Sequence, residues 1–184
     1  MIVDLMLVLL LIFAFYRGYS RGVLIQSIYS FGLVIAAIIS GLSYKAFVPL
    51  VSSWFPTSTL KGQSQLLFFE QDMLTQIHPI LVSGLSFIIV FALVYIILRV
   101  IAIFIKWSPV KLLKRGKILG GILALLTSYL ALQMLVVFAS LIPQSNIQEM
   151  LHQSFLAQLM VLYTPLFSDF IQKFFIETLA QIKL

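Results

Sequence analysis

Residues 80–105 read ILVSGLSFIIVFALVYIILRVIAIFI, an apolar run interrupted by a single charge at Arg99. A helix needs about 20 apolar residues to cross a bilayer core of about 30 Å, and this run exceeds that length. Three further apolar runs occupy 2–16, 23–44 and 118–142. The second and fourth runs of the chain also clear the requirement. The first is shorter and is expected to span by tight packing or where the bilayer thins. With 61% hydrophobic and 10% charged residues, a 184-residue chain has no polar shell behind which to hide such runs in water. The expected fold is all-α: a four-span transmembrane helical bundle over 1–142, followed by a C-terminal region over 143–184.

The net charge of +6 raises the question of nucleic acid, and the placement of the charges answers it. Arg17 and Arg21 follow the first run. Lys106, Lys111, Lys114, Arg115 and Lys117 follow the third. Basic residues beside apolar runs are the signature of short cytoplasmic loops, and they favour anionic lipid headgroups. No separate basic and aromatic surface remains for nucleic acid. With Arg99, one side holds eight of the twelve basic residues and none of the six acids, so the two sides carry +8 and −2. Both termini are therefore expected outside, with 17–22 and 106–117 cytoplasmic and 45–79 and 143–184 external. Asp4 stands where a signal peptide would be basic, so the first run is expected to be a retained helix. There is no cysteine, hence no disulfide and no thiol chemistry.

Small residues recur every four positions in two spans: Gly32, Ala36 and Ser40, then Gly116, Gly120, Ala124 and Ser128. In lipid, helices associate where small residues let backbones approach, so both stripes are expected to be packing seams, within the bundle or between copies in a homo-oligomer. Arg99 lies seven residues before Lys106, about 10 Å along a helix, close enough for its head to snorkel to the headgroups. Asp4 suits the first turn of a helix, where the dipole favours an acid. In the outer loop, Pro49, Trp54, Phe55 and Pro56 fit an interfacial belt. Leu66, Leu67, Phe69, Met73, Leu74 and Ile77 fit a short helix on the membrane surface. After Pro143, Ser145 and Asn146 are expected to cap a helix, with Glu149 completing a capping box. Ile147, Met150, Leu151, Phe155, Leu159 and Leu162 form one apolar face. A second face runs from Leu166 to Ile182, opposite Asp169, Lys173 and Glu177. These are amphipathic helices on the outer face rather than a fifth span, since a crossing would bury three charges.

Catalytic patterns do not emerge. His78 and His152 lie in separate segments with no metal-ligand spacing, and Glu70 and Asp72 would diverge on a helix. There is no phosphate-binding loop, nucleophile elbow or dinucleotide fingerprint. No cofactor, metal site or enzymatic activity is expected.

The opening combines Asp4, an apolar run and the turn Arg17-Gly18-Tyr19-Ser20-Arg21-Gly22. Later, Ile118-Leu119-Gly120-Gly121-Ile122-Leu123-Ala124 opens the fourth span. In these features the chain resembles the colicin V production protein family of bacterial membrane proteins, which share an early Asp, a Gly-x-x-Arg-Gly turn and a Leu-Gly-x-x-x-Gly-like segment. Here Gly18, Arg21 and Gly22 supply the turn. Ala124 replaces the second glycine of the later segment, and basic Lys114, Arg115 and Lys117 stand where many members carry Asn. The turn also has its own physical sense: glycine permits a reversal between two spans, and the arginines hold it at the headgroups.

The resemblance implies a plasma-membrane accessory in bacteriocin export or envelope maintenance, acting through export or envelope protein partners. A rival expectation is an oligomeric channel or small transporter whose Arg17, Arg21 and Arg99 line a basic cytoplasmic vestibule. An intramembrane hydrolase would need a buried nucleophile and base, which the sequence does not offer.

Overall fold

The computed structural model describes residues 2–54, 77–107 and 116–162, and every element among them is helical. The helices are α1 (Ile2–Arg21), α2 (Val23–Ser43), α3 (Val48–Trp54), α4 (Ile77–Trp107), α5 (Lys117–Ser140), α6 (Ser145–His152) and α7 (Phe155–Leu162). A 3-10 turn at Tyr44–Ala46 joins α2 to α3. Four helices are long and apolar enough to cross a membrane: α1, α2 with its 3-10 extension, α4 and α5. Hydroxyls within them bond back to their own helices, as Ser27 does to the Val23 carbonyl and Ser86 to that of Val82. No polar group is thereby left facing lipid unbonded at these positions.

The first span differs from its expected bounds. The segment 17–22 is not a loop: α1 continues to Arg21, and only Gly22 separates it from α2. The Gly22 N–H still donates to the Gly18 carbonyl at 3.0 Å, so helical bonding persists where an unpaired backbone group at the membrane edge would be costly. At 20 residues α1 is about 30 Å long, enough to cross a full bilayer core without thinning.

Nor do the first two spans pair chiefly with each other. Helix α1 packs mainly on α5, and α2 mainly on α4 and then α5. The end of α1 meets the start of α5 through Gly18 and Gly120, so these two run antiparallel. Tyr29 near the start of α2 meets Arg99 near the end of α4, so that pair is antiparallel as well. The largest core cluster gathers at the opposite end of the bundle, around Leu7, Tyr44, Ile80, Phe87, Val137 and Met160.

Helices α6 and α7 lie against that packed end. The fully buried Gln148 donates to the carbonyls of Ser140 and Ile142 at 2.7 and 2.9 Å, and Gln133 donates to the Met160 carbonyl at 3.0 Å. These amides tie both short helices to α5. The expected capping box is absent: Gln144 occupies the cap position in an extended conformation, and no side chain caps the helix. The Gln148 bonds fix the start of α6 in its place. The expected continuous apolar face is also divided. Leu151 is buried, whereas Met150, Phe155 and Leu162 are exposed. The chain turns at Ser154, whose N–H bonds to the Leu151 carbonyl, so one helical register does not run through. Ile77, expected at the end of a surface helix, instead opens α4; the rest of that helix, the second amphipathic face from 166 to 182, and the basic residues Lys111, Lys114 and Arg115 lie outside the described residues.

Candidate functional site

Arg17 and Arg21 are four residues apart on α1 and therefore share a helix face. The turn carrying them is pressed against α5. A Cβ at Gly18 would overlap Ala124 and the Gly120 carbonyl. A Cβ at Gly120 would stand 2.7 Å from the Gly22 carbonyl carbon, 2.8 Å from the Gly18 oxygen and 2.9 Å from the Val23 nitrogen. Backbone touches backbone here, which only the absence of side chains allows. Gly22 has φ 81° and ψ 166°, a region essentially reserved for glycine, and redirects the chain into α2. Gly116 caps the start of α5 with φ 65°, beside the Val23 side chain.

Beside this junction lies a cavity of about 300 Å³ formed by α1, α2, α4 and α5. Arg17, Arg21 and Arg99 all line it, with Gln26, Tyr29, Tyr95, Thr127 and Ser128. Tyr29 is the hub. The Arg21 guanidinium lies 4.4 Å from its ring centre and that of Arg99 5.7 Å. Arg99 is also 5.7 Å from the Tyr95 ring, and Arg17 is 5.5 Å from Phe13. Each such contact offsets part of a cation's desolvation, about 0.5–2 kcal/mol. Aromatic faces do not neutralise charge, and no described carboxylate lines the cavity. The two described acids sit at the other end: Asp4 accepts from Ser154, and Glu149 lies on α6.

Gln26 is 5% exposed, and its Oε1 has no hydrogen-bond partner. An unsatisfied buried polar atom costs about 1–3 kcal/mol. The amide also offers two N–H donors on its other arm. A second space, of about 290 Å³, runs between α2 and α4 and shares Tyr29, Tyr95 and Arg99 with the cavity. The rest of its wall is apolar, including Ile28, Phe31, Ile35 and Leu98.

The residues singled out from sequence thus divide four ways. Arg17, Arg21, Arg99, Ala124 and Ser128 meet at the cavity. Gly18, Gly22, Gly116 and Gly120 form the junction of α1, α2 and α5. Asp4 is at the far end, where its Oδ1 accepts from the Ser154 hydroxyl and the Leu156 N–H, both at 2.9 Å. Ala36 and Ser40 are buried, but Gly32 of the same stripe has nothing within 4 Å of where a Cβ would be, and it borders the groove. Gln26, Tyr29 and Tyr95 escaped the sequence reading. A lone amide at Gln26 in an apolar span was the available signal. Among the described residues no group of three or more His, Cys, Asp or Glu could hold a metal ion.

A family model described as colicin V production protein matches residues 3–165. An uncharacterized transmembrane protein of Bacillus subtilis (strain 168), YshB, is 28% identical over 173 residues, covering 92% of this chain and 95% of its own length. No solved structure matches the chain.

Proposed function

The chain belongs to the colicin V production protein family, and from that premise we propose that this multi-pass membrane protein is a non-enzymatic accessory of the bacterial plasma membrane. It supports production or export of a peptide toxin, and upkeep of the envelope, by binding other membrane proteins. The observation that carries this reading is the extent of the family match, which takes in all four spans and both short helices rather than one isolated motif. Exposed side chains along the spans, such as Phe13, Tyr16, Phe31 and Leu42, suit both lipid and partner helices.

The test is capture from native membranes with a short in-cell crosslinker, paired with deletion of the gene. Stoichiometric recovery of export or envelope components, and a loss of toxin yield or envelope integrity on deletion, are expected. Unchanged yield and integrity with no partner recovered would overturn the reading.

One observation favours a second reading, an oligomeric channel or small transporter. Three arginines line a single cavity, as an anion-attracting vestibule would require. Four spans are few for a monomeric pathway, so this reading needs an assembly of several copies. Finding only monomers in native membranes and in gentle detergent would remove it.

A further inference from the structure

We propose that the arginine cavity and the groove beside it form one binding site for an anionic phospholipid. The phosphate is held by Arg17, Arg21 and Arg99, and one acyl chain lies along the α2–α4 groove.

The charge balance points to an anion. Arg21 and Arg99 share the Tyr29 ring, both within 5.7 Å of its centre, and Arg17 lines the same cavity. Guanidinium groups so gathered repel one another, more strongly in a low-dielectric surrounding than in water. A phosphate offers them bidentate, charge-assisted hydrogen bonds. Gln26, nine-tenths buried on the same wall, has an amide oxygen that no protein group satisfies. A phosphodiester takes the amide N–H, and a headgroup hydroxyl satisfies the oxygen.

The groove makes the ligand a lipid rather than a free ion. It adjoins the cavity through Tyr29, Tyr95 and Arg99, and beyond them its walls are apolar. Polar head and apolar chain thus find adjacent sites in the order in which a phospholipid carries them. Depth agrees, because Arg17 and Arg21 occupy the last turns of a helix about as long as the hydrocarbon core is thick. Gly32 borders the groove, and nothing stands within 4 Å of where its Cβ would be. A Cβ added at this wall position meets no protein atom.

The full chain, purified in neutral detergent, is examined by native mass spectrometry with dioleoyl phosphatidylglycerol or dioleoyl phosphatidylethanolamine, which share their acyl chains but differ in net charge. Inorganic phosphate is the competitor. One retained phosphatidylglycerol per chain is expected, bound at least about tenfold tighter than phosphatidylethanolamine, the scale of one charge-assisted contact. Arg21→Gln with Arg99→Gln is expected to abolish that preference. Gly32→Leu is expected to weaken retention of the lipid without lowering helix content or the melting temperature. Equal retention of the two lipids overturns the proposal, as does phosphatidylglycerol binding that survives both the arginine and the Gly32 changes. Inorganic phosphate displacing the lipid completely, with Gly32→Leu silent, would assign the cavity to a free anion and overturn the lipid assignment. Lipid retention is read without any export or transport assay, so its failure leaves the proposed function standing.

Discussion

Gly22, Gly120 and Gly32 look alike on paper, three small residues in or beside apolar spans, yet they stand in different physical situations. Gly22 is needed for its backbone angles, φ 81° and ψ 166°. Gly120 is needed for its missing side chain, since backbone atoms of Gly18, Gly22 and Val23 fill the space a Cβ would take. Gly32 is crowded by nothing. Gly22→Ala is accordingly expected to cost about 1–3 kcal/mol through strain. Gly120→Val should cost at least as much, because overpacking against backbone has no flexible neighbour to absorb it; about 1–3 kcal/mol is usual even in side-chain cores. Gly32→Ala should change stability by no more than about 0.5–1 kcal/mol, in the stabilising direction expected of Ala for Gly within a helix. Denaturation of the three variants in one detergent, followed by circular dichroism, checks the order. A four-residue spacing in the sequence identifies a helix face, but it does not say what stands opposite each position. Hence the stripe through Gly32, Ala36 and Ser40 reads as one seam although one of its members borders an open groove.

Helices in this chain were legible wherever length and hydropathy decide, because both are properties of consecutive residues. The four spans follow from that alone. Partner choice is a different matter. All four spans are apolar on most sides, so nothing in their periodicity selects α5 as the neighbour of α1. The basic pair Arg17 and Arg21 suggested a loop, yet helical bonding continues through it to Gly22. Asp4 was read as favourable to its own helix, but its carboxylate also caps another. With the Ser154 hydroxyl, which accepts from the Ala157 N–H at 3.2 Å, it occupies the open donors at the start of α7. Asp4→Ala is therefore expected to cost about 0.5–2 kcal/mol, as loss of a helix cap does. Faster amide exchange in α7 and easier proteolysis near 153–155, with α2 and α4 unaffected, are the measurements. Because the two groups are in contact, Asp4→Ala and Ser154→Ala should combine less than additively in a double-mutant cycle. Loss of protection spread evenly over all helices would contradict a local capping role.

Taken whole, the bundle has two unlike ends. One is closed by the cluster around Leu7, Phe87 and Met160 under α6 and α7, and the other opens into the arginine-lined cavity. From the charge asymmetry the arginine end is expected to face the cytoplasm. Since the 184 residues include no cysteine, single substitutions report topology cleanly. An impermeant maleimide added to intact cells is expected to label Gln153→Cys and to leave Ser20→Cys unlabelled until the membrane is opened. The reverse pattern would invert the bundle and put the cavity outside. The cap between Asp4 and Ser154 also bears on biosynthesis. The hydroxyl that bonds the carboxylate lies 150 residues later in the chain, and the amide 152. At about 5–20 residues per second, the ribosome needs roughly 8 to 30 s to make that stretch. During this interval α1 is already available for insertion, while the donors that will hold its far end do not yet exist. Insertion and assembly of the first helix are thus separate events in time, and the chain's earliest span is among the last to be locked.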